Sequence, residues 1–358
     1  MKTHKTRFIF TFVFITMLIL NACLFAQSIS GRLTTSVYSW EQQVFEEPSA
    51  KHFRAYQLLQ FNATDLGVKG LGFHTYLNVS HDFGKEAVDD PRFWIYNMYL
   101  DYRNVVNGLD VGVGRQRIYA GVGYGTVDGL QVKYRFKDYF DLKLYGGMMA
   151  PLRKSYEIEE FDTDNISWGF HVTSSKLKRM RVGISYAQMS RVPVEYTSPG
   201  IYTGNFRLDH PVTALQKKLI GFDLRGIVTS KFYINGRLDY NFSLNEIKRG
   251  EIGGRYSINR NFDIGLDYIY RTPSIDVNSI FWVFALNPNQ EIAFRTNYKY
   301  NDYIFHFNVA TVLLDGDNSQ RVGFGVNWKT LNVSYNHRSG YSGDSDGISV
   351  NYNHPLKS

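Results

Sequence analysis

The chain has 358 residues, among them 26 Tyr, 26 Phe and 5 Trp, so aromatic residues make up 16% while charged residues make up only 20%. This is a composition of strand formers, and no apolar period of 3.6 residues appears after residue 27, which excludes a helical or alternating βα fold. The formal net charge of +7 is weak and interspersed, which excludes nucleic acid as a partner.

The first 26 residues read as a signal segment, with Lys2, Lys5 and Arg7 ahead of an apolar run from Phe8 to Leu20 broken only by Thr11 and Thr16. Two processing sites compete. Cleavage after Ala26 would leave residues 27–358 as a single domain without the only cysteine; a lipoprotein-type box at Leu20-Asn21-Ala22-Cys23 would lipidate Cys23 instead. The first is favoured, because a small residue ends the segment there. Neither route permits an internal disulfide. No later run reaches the roughly 20 apolar residues that a spanning helix needs, so any membrane crossing must be made by strands.

In chain order, alternation of apolar and polar residues predicts strands at 30–40, 53–65, 71–82 and 92–103. A hairpin follows over Leu109 to Phe136, then strands at 140–149, 166–174, 180–190, 219–228, 232–244, 250–258 and 262–271. The remainder lie at 290–300, 303–314, 320–329, 331–338 and 347–356. Connections alternate between short and long, with every long one on the same side. The apolar run Ser279 to Leu286 is assigned to a long excursion from Thr272 to Asn289, because a separate strand there would break that parity. The total is 18 strands, with 16 as the alternative count.

Eighteen alternating strands without a linker or change of composition do not divide into soluble sandwiches. Aromatic residues concentrate at strand ends, as Phe262, Tyr268 and Tyr270 do on one face and Tyr298 and Tyr300 on another. Such girdles suit the two interfaces of a bilayer. Signal segment, alternating strands and paired loop lengths resemble the bacterial outer-membrane β-barrel superfamily over residues 30–356, and the size and strand count are similar to its porins. The resemblance implies an all-β, closed antiparallel transmembrane barrel of about 18 strands in the outer membrane, with short periplasmic turns and longer extracellular loops. It also implies lipid, lipopolysaccharide and the barrel-assembly machinery as partners, and leaves homo-oligomerisation open. The end of the chain departs from the family's terminal aromatic residue: Val350, Tyr352 and His354 alternate, but Pro355-Leu356-Lys357-Ser358 follow.

The polar strand faces would line a water-filled lumen. Its expected pore-lining residues are Arg103, Arg115, Arg117, Lys133, Arg135, Arg225, Arg237, Arg255, Arg295, Lys299 and Arg321, interspersed with carboxylates such as Asp101, Asp223, Asp239, Glu251, Asp263, Asp267 and Glu291. A surplus of fixed positive charge predicts passive diffusion of small hydrophilic solutes with a mild anion preference; mutual pairing of these charges would instead brace a barrel that conducts little. A constriction is expected from Arg191 to Lys217 or from Thr272 to Asn289.

Strand parity places Arg115 and Arg117 on the lipid face with Leu109, Val111 and Val113, at about 2 to 4 kcal/mol each near the midplane. Either these arginines lie above the bilayer or a bulge at Gly112 to Gly114 flips the register, and the bulge is the favoured remedy. The glycines at 112, 114, 121, 123 and 125 are not a dinucleotide fingerprint, since no helix follows. Asp162-Thr163-Asp164-Asn165, Asp315-Gly316-Asp317-Asn318 and Asp344-Ser345-Asp346-Gly347 read as turn chemistry rather than Ca²⁺ loops; no cofactor or metal is expected. His74, Asn78, Ser80 and Asp82 share a face, but alternate residues lie roughly 6 to 7 Å apart, too far for a hydrolase relay without other strands. An enzyme is therefore not expected. The other reading kept open is a closed barrel whose outer loops bind a partner or surface polysaccharide.

Overall fold

The computed structural model describes residues 28–42, 49–84, 90–137, 139–151, 161–177, 179–192, 215–273, 287–341 and 343–353. The signal segment, the run Ser279 to Leu286 and most of both expected constriction loops lie outside the described residues.

The described chain is one 18-stranded sheet. Its strands are β1 (Ser28–Gln42), β2 (Ala50–Thr64), β3 (Leu71–Asp82), β4 (Arg92–Val106), β5 (Leu109–Ala120), β6 (Gly123–Phe136), β7 (Phe140–Met149), β8 (Ile166–Leu177) and β9 (Met180–Arg191). They continue as β10 (Leu215–Thr229), β11 (Phe232–Asn241), β12 (Glu246–Ser257), β13 (Phe262–Arg271), β14 (Asn289–Tyr300), β15 (Tyr303–Leu313), β16 (Asn318–Trp328), β17 (Leu331–Gly340) and β18 (Ser345–Tyr352). Each strand pairs antiparallel with the next in sequence. The registered pairings among the described residues form one series from β1 to β18. The pairing of β18 with β1 that would close the barrel is not one of them.

Alternation settles which face points where. Along one row of register partners, Ile264, Thr296, Phe307, Phe324, Tyr335 and Ile348 lie side by side on the outer face. Phe307, Phe324, Tyr335 and Ile348 are all exposed there. A contiguous exposed apolar patch of this extent does not suit water. At the short-turn end of the same wall the rings stack: Phe262 meets Tyr298 edge-on at 6.1 Å, and Tyr303 lies parallel to Trp328 at 6.1 Å. On β2–β4 the corresponding face is packed instead. Phe61, Ala63 and Phe73 form one buried cluster, and Leu77, Phe93 and Ile95 another. Phe73, Thr75 and Leu77 are buried there, unlike the exposed apolar row of β15–β18.

Candidate functional site

The hairpin of β5 and β6 leaves the wall. Pairing of β4 with β5 stops at Met98–Arg115, whereas β5 and β6 pair without interruption from Leu109–Tyr134 to Ala120–Gly123. The expected register flip at Gly112 to Gly114 is thus absent. Gly114 has φ +121°, a conformation open only to glycine, and beyond it the whole hairpin turns across the inner face.

Its tip is anchored far from its root. Val122 N–H donates to Ser185 Oγ at 3.1 Å, and Lys143 Nζ donates to the Tyr119 carbonyl at 2.7 Å. Arg237 donates to the Gly121 carbonyl at 3.5 Å, and Lys248 Nζ lies 5.9 Å from the Tyr124 ring centre. Val122 packs with Met149, Ala187, Met189 and Leu219, while Ile118, Ala120 and Val127 pack on Tyr145. These partners lie on strands from β7 to β12, so the sheet curls around the tip. Close approach needs bare backbone. A Cβ on Gly121, itself at φ +63°, would strike the Ser185 side chain, and one on Gly221 would strike Val122.

Arg115 turns inward with the hairpin and is buried, with Nε and Nη2 each donating to the Asp128 carboxylate at 2.6 Å. A bidentate pair of this kind fixes both groups in place. Arg117 is exposed and stacks its guanidinium 5.2 Å from the Tyr119 ring centre.

The inner wall from β6 to β10 carries exposed or half-buried cations. Lys133 is in register with Lys143, and Arg181 with Arg225. Like charges directly opposite destabilise a sheet, yet among the described residues none of these four makes an ion pair. Asp223 is engaged with His171 at 3.3 Å.

From β11 to β16 five cations are matched. Arg237 bonds Asp239 at 2.9 Å, and Glu251 receives Arg249 at 2.7 Å and Arg271 at 3.0 Å. Arg295 pairs with Asp267 and Arg321 with Glu291. Arg255, 5.8 Å from the Tyr233 ring centre, and Lys299, both nearer the short turns, have no carboxylate among the described residues. Arg103 pairs with Asp101 at 2.7 Å, and the exposed Arg135 sits 3.6 Å from Asp141 at the short-turn rim.

Two clefts open onto these walls. One of about 550 Å³ lies between the tip residues Val122 and Tyr124 and the side chains of Arg237, Lys248, Arg249 and Arg271. A larger one of about 640 Å³ runs along the matched wall past Glu251, Asp267, Arg295 and Arg321. Lys143, Arg181, Lys248, Arg249 and Arg271 were not among the residues expected from the sequence. Lys143 and Arg181 share the inner face of their strands and were legible by parity. Lys248 was not, because a register irregularity in the β11–β12 pairing beside it decides where it points.

Other candidates resolve simply. His74 is held between Asn62 at 2.9 Å and Asp101 at 2.7 Å, while Ser80 is buried six residues along the strand, roughly 20 Å away. Asp82 accepts from His52 and Arg54. Asp162 caps its own turn by accepting from Asp164 N–H at 2.9 Å, and Asp344 accepts from Gly340 N–H at 3.3 Å. Among the described residues no group of three His, Cys, Asp or Glu could hold a metal ion.

No family model matches the chain, and no curated protein matches it. Among solved structures it is similar to the outer membrane protein opdK from Pseudomonas aeruginosa, at 11% identity and a TM-score of 0.47, over 92% of this chain and 99% of that one. OccK3 (OpdO) from the same organism is similar at 9% identity and a TM-score of 0.48, over 92% and 96% of the two chains. A mutant of the Rh. blastica porin is similar at 13% identity and a TM-score of 0.37, over 91% and 99%. Likeness at this level does not make the chain one of them, and its task has to be sought in its own geometry.

Proposed function

We propose that the protein is an outer-membrane channel for passive diffusion of small hydrophilic solutes, narrowed from one side by the β5–β6 hairpin and mildly selective for anions. The observation that carries this reading is the hairpin tip docked on the inner face of β7–β12, beside a polar wall whose back is an exposed apolar band. An apolar outer face calls for lipid, and in lipid every backbone donor and acceptor must be paired, so β1 and β18 are joined in the working form. Anion preference is supported by Lys133, Lys143, Arg181 and Arg225, which line the wall beside the tip without carboxylate partners among the described residues. Fixed charge near a constriction sets selectivity.

The test is reconstitution of the purified protein in a planar bilayer under a KCl gradient. Discrete conductance steps are expected, with a reversal potential displaced toward that of chloride. Absence of conductance refutes the channel; a reversal potential toward potassium refutes the anion preference alone.

A further inference from the structure

We infer that the short-turn rim is a collar for anionic phospholipid headgroups, an inference that rests on the membrane-barrel reading above. Lys69, Lys137, Arg179, Lys231, Arg260 and Lys329 stand in six different short turns, and all are exposed. Among the described residues of the long connections, Asp162, Asp164, Asp315, Asp317 and Asp344 are exposed.

Turn geometry does not ask for these cations. Lys137, Arg179 and Lys329 occupy left-handed backbone at φ +46°, +74° and +51°, where Gly and Asn are favoured. Nearby turns obey that preference, with Asn104 at +54° and Asn301 at +50°.

Depth points to headgroups. Lys329 Nζ lies 5.8 Å from the ring centre of Trp328, which stacks on Tyr303. Lys137 lies between Phe136 and Tyr139, whose rings are 6.0 Å apart. These two cations thus sit just beyond the aromatic girdle, where long basic side chains reach the interface while their stems stay on apolar surface. Asp302, 3.6 Å from Lys329, and Asp141, 3.6 Å from Arg135, are carboxylates at the same rim.

Spacing along the rim suits a layer of headgroups. Successive short turns are two strands apart, or roughly 10 Å, so the cations are spread along the rim rather than gathered at one point. A layer of phosphodiesters meets each cation separately.

The test compares the parent with the variant K69N/K137N/R179N/K231N/R260N/K329N, since Asn suits the left-handed positions and preserves the turns. Both are reconstituted in phosphatidylcholine bilayers containing a minor fraction of phosphatidylglycerol, and lipids retained on the extracted protein are counted by native mass spectrometry. The parent is expected to enrich phosphatidylglycerol roughly fivefold per contacting cation, with enrichment lost in the variant and in high salt. Equal enrichment in both proteins, or none in the parent, overturns the collar. Selective retention of anionic peptidoglycan fragments in place of phosphatidylglycerol overturns its assignment to lipid. Failure of the parent to enter pure phosphatidylcholine bilayers overturns the barrel reading and the collar with it, whereas entry without enrichment overturns the collar alone.

Discussion

Between β6 and β10 the inner wall sets Lys133 against Lys143 and Arg181 against Arg225, whereas between β11 and β16 Arg237, Arg249, Arg271, Arg295 and Arg321 each touch a carboxylate. The hairpin tip lies across the first wall and reaches Arg237 and Lys248 at the edge of the second. Cross-strand repulsion has a cost, and on the second wall Glu251 relieves it where Arg249 faces Arg271 in register. Among the described residues no carboxylate does the same for the first. The difference teaches that a count of charges does not measure a lumen's field. Ion pairs in the second wall cancel most of theirs at a distance, while isolated cations beside a narrow passage act on whatever passes.

This contrast can be broken at the hairpin itself. Asp128→Asn removes the carboxylate that receives both Arg115 donors, and breaking a buried pair costs about 3 kcal/mol or more. The expected result is a lower unfolding midpoint in denaturant together with a noisier channel, read by tryptophan fluorescence and single-channel recording. Gly121→Val leaves the wall intact but sets a branched side chain at φ +63°, a strain of roughly 1–2 kcal/mol, and drives it into Ser185. The tip should lift and conductance rise about twofold or more, as steric narrowing is relieved; unchanged conductance would mean that the tip does not limit flow.

Two further variants sharpen the charge contrast. Lys133→Gln combined with Arg181→Gln and Arg225→Gln should shift the reversal potential toward that of potassium, at little cost in stability because the removed charges face like charges across the strands. Neutralising one matched pair, with Asp267→Asn and Arg295→Gln together, should leave selectivity within measurement error. Stability should change by less than about 1 kcal/mol, since the pair is partly exposed to water. A large selectivity change in that double variant would show that matched charges still dominate the field.

The ends of β7 and β13 coincide with the alternation of Phe140–Met149 and Phe262–Arg271, and the number of strands follows from the parity of short and long connections. These features are local. The inward hairpin is not, because alternation continues unbroken through Arg115 and Arg117. One signal was present: the apolar residues run odd through Leu109, Val111 and Val113, then even through Ile118, Ala120 and Val122. A change of parity without a register shift means that the apolar face has found a second surface inside the wall.

The sequence by itself determined the strands, their order, the outward apolar face and the basic short turns. Each depends only on the period-two geometry of a strand and the length of its connections. Tertiary structure decided which cations are matched and where the tip docks. Val122 meets Ser185, and Lys248 meets Tyr124, across more than sixty residues of chain; only the curl of the whole sheet brings such distant positions within reach.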